Sequence, residues 1–167
     1  MHQRSILVVD DEPMILKSMS RGLRNEPYNV FTASGGQEGL QVLEGREVDL
    51  VMSDYNMPGM NGIDFLQTVK SNHPMTITIM LTGHKEIDVA MRAINEAGIY
   101  KFILKPWDDT DLKVTLRRSL EMLDLVRERD ALREGVKARD TILRNLEKEH
   151  PGITRVAKDA DGYLILE

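Results

Sequence analysis

At 167 residues, with 41% hydrophobic and 29% charged side chains, the chain is long enough for one cored domain plus an appendage. A formal charge of −5 argues against non-specific nucleic-acid binding, and the absence of cysteine excludes disulfides, thiolate metal sites and a cysteine nucleophile. No apolar run approaches the roughly 18 residues of a membrane span, and the charged N-terminus lacks a signal-peptide apolar region, so a soluble cytoplasmic protein is expected.

The first buried-strand pattern is Ser5-Ile6-Leu7-Val8-Val9, which ends on Asp10-Asp11-Glu12. Pro13 suits the first position of a helix, where its missing N–H costs nothing, and Ile15, Met19 and Leu23 supply an apolar stripe. Residues 29–32 predict a short second strand, and Ser34 predicts the cap of a helix over about 36–43. Val48-Asp49-Leu50-Val51-Met52-Ser53-Asp54 is a nearly continuous apolar run ending on a carboxylate, as in a strand covered on both faces of a parallel sheet. Tyr55-Asn56-Met57-Pro58-Gly59 stops it.

Asn61 predicts the cap of a third helix carrying Ile63, Leu66 and Val69, which Asn72-His73-Pro74 terminates. Thr76-Ile77-Thr78-Ile79-Met80-Leu81 is a β-branched and apolar fourth strand, ending at Thr82-Gly83. A helix over 85–96 follows, with Ile87, Met91 and Ile94 on one face and Gly98 at its end. Residues 99–104 predict the fifth strand, which ends at Lys105-Pro106. Strands alternating with helices imply parallel βαβ units and a doubly wound α/β sheet. From about residue 108 to 150 there is no strand signal and no proline, so one long helix is expected, broken by Pro151-Gly152. Residues 153–166 predict a short hairpin.

Ligands of open α/β sheets bind at the carboxyl ends of the strands, and here those ends carry Asp10, Asp11, Asp54, Thr82 and Lys105. Singly, each has an ordinary reading: a solvated turn, a polar strand exit, a β-branched strand residue, a surface lysine. Together they differ. Three gathered carboxylates repel unless a cation joins them, and oxygen-only ligands with room for water suit Mg²⁺. Carboxylates, Mg²⁺, a lysine and a hydroxyl suit a transferring phosphoryl group, and a carboxylate can itself be the nucleophile, giving an aspartyl phosphate.

Val9-Asp10-Asp11-Glu12-Pro13, Asp54-Tyr55-Asn56-Met57-Pro58-Gly59-Met60-Asn61-Gly62, Leu81-Thr82-Gly83 and Lys105-Pro106-Trp107 resemble the receiver domain of two-component response regulators, over roughly residues 4–122. The resemblance implies a flavodoxin-like, five-stranded parallel sheet of order 2-1-3-4-5. It implies that Asp54 accepts phosphate from a sensor histidine kinase. Asp11 and Asp54 would ligate Mg²⁺ directly, Asp10 mainly through water, and the backbone carbonyl of Asn56 would complete the protein ligands. Lys105 would pair with the carboxylate or the phosphoryl group. Thr82 would turn inward on phosphorylation, with Phe102 in the place of the family's switch aromatic. Phe102 lacks the hydroxyl of the commoner Tyr, which argues against an OH-mediated readout.

Lys101 stands where receivers that dimerise through their last helix–strand–helix face usually have Asp, which weakens that mode. His84 and Asn56 occupy variable positions that tune phosphoryl lifetime in the family. Residues 105–109 are similar to those of regulators carrying a cyclic-di-GMP phosphodiesterase domain. Met14 and Ser18, off the core stripe and next to Asp11, are candidate kinase contacts.

The expected organisation is a receiver at residues 1–122, a coiled-coil helix at 123–150 and a hairpin-like tail at 151–167. Only 17 residues follow His150, too few for a helix-turn-helix output domain, so no DNA partner is expected. Met122, Leu125, Arg129, Leu132, Val136, Arg139, Leu143 and Leu146 follow the alternating three- and four-residue steps of a coiled-coil seam, which predicts a homodimer. The functional expectation is a phosphorylation-switched regulator that acts on an unidentified downstream protein without a separate catalytic output. The alternatives are a regulatory fragment of a larger output protein, such as a cyclic-di-GMP phosphodiesterase, or an aspartyl-phosphate phosphatase. That phosphatase class normally has a second Asp two residues after the nucleophile, where Asn56 stands. A flavodoxin-like cofactor carrier is disfavoured because Asp10-Asp11 would repel phosphate without a metal.

Overall fold

In the computed structural model, which describes residues 3–153, strands β1 (Arg4–Val9), β2 (Tyr28–Ala33), β3 (Leu50–Asp54), β4 (Ile77–Thr82) and β5 (Lys101–Leu104) form one parallel sheet. Its order is β2-β1-β3-β4-β5, the doubly wound arrangement expected. Helices α1 (Pro13–Gly22), α2 (Gly36–Gly45), α3 (Gly62–Asn72) and α4 (Ile87–Ala97) connect successive strands, and α5 (Asp109–Glu149) follows β5.

Successive strand residues point to opposite faces, so the sheet has two cores. Leu7, Val9, Val51 and Met80 face the first core with Phe65, Leu66 and Val69 of α3. Ile6, Val8, Leu50, Met52, Ile79 and Leu81 face the second, with Met19 of α1 and Leu112, Leu116, Leu120 and Leu123 of α5. The central strands are therefore buried on both faces, which explains their unbroken apolar runs.

The chain divides into two units between Leu123 and Asp124, a boundary that falls within α5. The first unit contains the sheet. In the second, Leu125, Leu132, Val136, Leu143 and Leu146 are exposed and belong to neither core. The expected hairpin lies outside the described residues except at Ile153, which is in a turn.

Three local expectations are corrected. Ser34 does not cap α2: Gly35 is the N-cap, and the backbone N–H and hydroxyl of Ser34 donate to Glu38, which reaches back from the first turn. β3 starts at Leu50, because the buried Asp49 carboxylate accepts from the Ser5 N–H at 2.9 Å and pairs with Arg4 at 3.1 Å. The buried positions of α4 are Ala90 and Ala93, while Met91 is 48% exposed; alanines allow the helix backbone a close approach that a larger face would block. The caps of α1 and α3 follow the sequence: Pro13 begins α1, and the Asn61 side chain accepts from the Asp64 N–H at 2.9 Å.

Candidate functional site

Strand register brings the polar strand ends together. Val9 pairs with Ser53, so Asp10 and Asp54, each one residue further on, leave the sheet side by side. Thr82 pairs with Leu104, which sets Lys105 just beyond it on the neighbouring strand. The Lys105 amide donates to the Thr82 carbonyl at 2.8 Å, and the Lys105–Pro106 peptide is cis.

The carboxylates of Asp10, Asp11 and Asp54 each offer an oxygen within 4.8 Å of the others. Asp10 is fully buried. Its Oδ1 accepts from the Glu12 N–H at 2.9 Å and its Oδ2 from Lys105 Nζ at 2.7 Å. The same ammonium lies 2.9 Å from Asp54 Oδ1. Asp11 is exposed.

The charges are unequally matched. Burial raises the pKa of Asp54 above the usual carboxylate range, against the lowering effect of Lys105, and Asp10 adds to the rise. Burial would lower the ammonium of Lys105, but its bonds to Asp10 and Asp54 outweigh that and raise it. Three carboxylates against one ammonium leave two formal negative charges on an oxygen-only edge. That donor set fits a hard divalent cation such as Mg²⁺, which favours oxygen ligands and tolerates a few protein contacts completed by water.

Thr82 is fully buried, and among the described residues its hydroxyl makes only a long contact, 3.4 Å, with the Gly83 carbonyl. Phe102 is half-buried against the first core. Asn56 is exposed in the turn after β3, and its side-chain amide donates to Glu86 Oε1 at 3.0 Å. His84 is exposed, in a 3-10 turn that ends at Glu86. Met14 is 72% exposed on α1, while Ser18 is half-buried.

Two contacts around the site are not legible in the local sequence pattern. Glu86 meets Asn56 across 30 residues of chain, and no spacing rule reaches that far. Gly62 begins α3 where a Cβ would lie 2.1 Å from the Asp54 carbonyl oxygen, and its N–H donates to the Tyr55 carbonyl at 2.8 Å. A glycine near a helix start hints at close approach, yet only the fold identifies what is approached.

The family model described as the response regulator receiver domain matches residues 6–117. The hydrogenase transcriptional regulatory protein HoxA of Cupriavidus necator is 35% identical over 119 residues, covering 71% of this chain and 24% of that protein. The transcriptional regulatory protein GlrR of Escherichia coli K12 is 38% identical over 116 residues, covering 70% of this chain and 26% of GlrR. This chain thus spans about a quarter of the length of those relatives. Among solved structures, the signal receiver domain of an HD domain-containing protein from Pseudomonas fluorescens Pf-5 superposes with a TM-score of 0.73 at 38% identity. That match covers 77% of this chain and 95% of the other. The receiver domain of NtrX from Brucella abortus is 34% identical, with a TM-score of 0.66 over 70% of this chain and 98% of that one.

Proposed function

The chain belongs to the response regulator receiver family, and on that premise we propose that Asp54 accepts a phosphoryl group from a sensor histidine kinase, switching a surface that a downstream protein reads. The observation that carries this reading is Lys105 Nζ, held between Asp10 and Asp54 at 2.7 and 2.9 Å at the edge where three carboxylates converge.

In the transfer, an Asp54 carboxylate oxygen forms the new bond to phosphorus as the phosphorus–nitrogen bond of the donor's phosphohistidine breaks. The electron pair of that bond returns to the imidazole. Asp10, Asp11, Asp54 and the backbone carbonyl of Asn56 would hold Mg²⁺, which supplies positive charge to the phosphoryl oxygens when bound. Lys105 keeps Asp54 oriented before transfer and offers its ammonium to a phosphoryl oxygen afterwards. The Thr82 hydroxyl, weakly engaged at 3.4 Å, is free to turn toward the new phosphoryl group, and half-buried Phe102 follows it as the switch aromatic.

Asn56 in place of a second Asp speaks against a phosphatase role. The reading is therefore a receiver that acts through binding. No helix among the described residues is long and apolar enough to cross a membrane, in keeping with a cytoplasmic site of action. The organisation adopted is a receiver at 1–122, a segment at 123–150 that pairs two copies, and a tail at 151–167.

Incubation of the intact chain with acetyl phosphate and Mg²⁺, followed by intact mass measurement, tests the assignment. One added phosphoryl mass is expected, lost in Asp54→Asn and in EDTA. Full labelling of Asp54→Asn would overturn it.

A further inference from the structure

The turn after β3 is fastened both by backbone and by side chain. The Tyr55 amide donates to the Leu81 carbonyl at 3.0 Å, and the Tyr55 carbonyl accepts from Gly62 at 2.8 Å. Those are main-chain bonds, open to most sequences. The bond from Asn56 Nδ2 to Glu86 Oε1 at 3.0 Å is different, because it needs two particular side chains 30 residues apart. A carboxylate accepts and cannot donate, so the amide must turn its NH2 toward Glu86. The bond runs from the segment after β3 to the segment after β4, the strands that end on Asp54 and Thr82.

Glu86 has another use for its carboxylate and does not take it. It is the N-cap residue of α4, where unpaired N–H groups and the helix dipole favour a carboxylate, yet its side chain makes no cap bond. Its Oε2 instead stands where a Cβ on Gly83 would come within 2.7 Å. The Gly83 backbone is extended, with φ −79° and ψ 166°, so the glycine answers to space rather than to conformation. Position 83 is kept bare where the carboxylate lies.

Glu86 is outside the group of Asp10, Asp11 and Asp54, whose oxygens lie within 4.8 Å of one another. It reaches the site through Asn56. We propose that Glu86 is a positioning residue for the divalent ion: by holding the Asn56 amide it fixes the turn so that the Asn56 carbonyl meets the ion. This depends on the reading above that Asn56 lends its backbone carbonyl to Mg²⁺.

Two physical reasons give the bond this role. A backbone carbonyl has no rotamer of its own, so its direction is set by the turn that carries it. Mg²⁺ demands near-ideal octahedral geometry, and a small rotation of one ligand weakens the whole set. The second reason is competition. Asn56 is two residues beyond Asp54, and a freed NH2 there would donate to the same carboxylate lone pairs that the ion needs. Glu86 gives that amide a different acceptor.

Calorimetric Mg²⁺ titration of the intact chain, with unfolding midpoints in EDTA to establish folding, tests the proposal. Glu86→Ala and Glu86→Gln both remove the charge, but the glutamine keeps an acceptor for Asn56. Glu86→Ala should bind Mg²⁺ roughly tenfold more weakly than Glu86→Gln, the lower end of what outer partners of metal ligands are worth. Equal affinities would reduce Glu86 to a surface charge and overturn the proposal. Asn56→Ala keeps the backbone carbonyl and removes the amide, so in that background the two Glu86 variants should bind Mg²⁺ alike. A difference that persists there would mean that Glu86 acts through another group, which also overturns it. Gly83→Ala displaces the flexible end of Glu86 rather than backbone, so it should weaken Mg²⁺ binding with an unchanged midpoint. Full affinity in Gly83→Ala would overturn the role given to that glycine. Failure of the receiver reading would look different: the unsubstituted chain would take no phosphoryl mass from acetyl phosphate at saturating Mg²⁺, whatever the order of the Mg²⁺ affinities.

Discussion

Gly62 and Asp54 touch through their backbones: a Cβ on Gly62 would stand 2.1 Å from the Asp54 carbonyl oxygen and 2.9 Å from its carbonyl carbon. The start of α3 thus presses on the residue that the transfer chemistry would modify, leaving no room for any side chain. Gly62→Ala is expected to cost about 2 kcal/mol or more, since backbone rather than a flexible side chain must move. It should lower the thermal midpoint and slow acetyl phosphate labelling together. An unchanged midpoint would show that the turn after β3 shifts without strain.

The Lys105 contacts give a pH dependence with a definite sign. Its raised pKa means that its bonds to Asp10 and Asp54 stabilise the fold fully below 10.5 and are lost as pH rises through the folded-state value. Asp54 has the same sign in a lower window: its raised pKa means that folding disfavours the carboxylate, so its contribution also falls as pH rises, here through the carboxylate range. Lys105→Met should remove the alkaline loss and push Asp54 further up, because the ammonium that lowers it is gone. Carboxyl carbon NMR titration reads the second effect directly. A downward move of Asp54 in that variant would contradict the arrangement.

Glu86 holds its carboxylate on the turn that follows β3 and Asp54, where Oε1 accepts from Asn56 and Oε2 would lie 2.7 Å from a Cβ on Gly83. A negative group there opposes an incoming phosphodonor anion. Glu86→Gln keeps the bond to Asn56 and removes the charge, so labelling by acetyl phosphate should quicken a few-fold, most at low ionic strength. Rates independent of salt and of the substitution would remove Glu86 from the reaction's surroundings.

Gly135 lies mid-helix in α5, and a Cβ there would meet nothing within 4 Å. Gly135→Ala should therefore stabilise the helix by about 1 kcal/mol. Circular dichroism at 222 nm would register this as a higher helical melting midpoint. A lower midpoint would mean that the glycine serves a close contact with another chain.

A divalent ion should bind more weakly when a ligand carboxylate is removed. Asp11 is the exposed member of the three, so Asp11→Asn disturbs packing least. Mg²⁺ titration by calorimetry should show several-fold weaker binding with an unchanged unfolding midpoint in EDTA. Unaltered Mg²⁺ affinity would exclude Asp11 as a ligand.

The sequence by itself determined the order of strands and helices, since unbroken apolar runs such as 50–52, bounded by turn residues and alternating with helical periodicity, are the pattern of strands covered on both faces. It also determined the candidate chemistry, because Asp10, Asp54, Thr82 and Lys105 close successive strands and a parallel sheet sends all those ends one way. Tertiary structure decided what depends on register and distance. The pairing of Val9 with Ser53 sets Asp10 beside Asp54, and only that placement lets one lysine span both. The buried face of α4 went to Ala90 and Ala93 rather than to the larger Met91, because close packing rewards fit over side-chain hydrophobicity. Glu86 on Asn56, and Gly62 on Asp54, join residues of different elements, the first pair 30 positions apart in the chain. Periodicity encodes which face a residue takes along its own element, and it carries no information about which atom of another element will stand opposite.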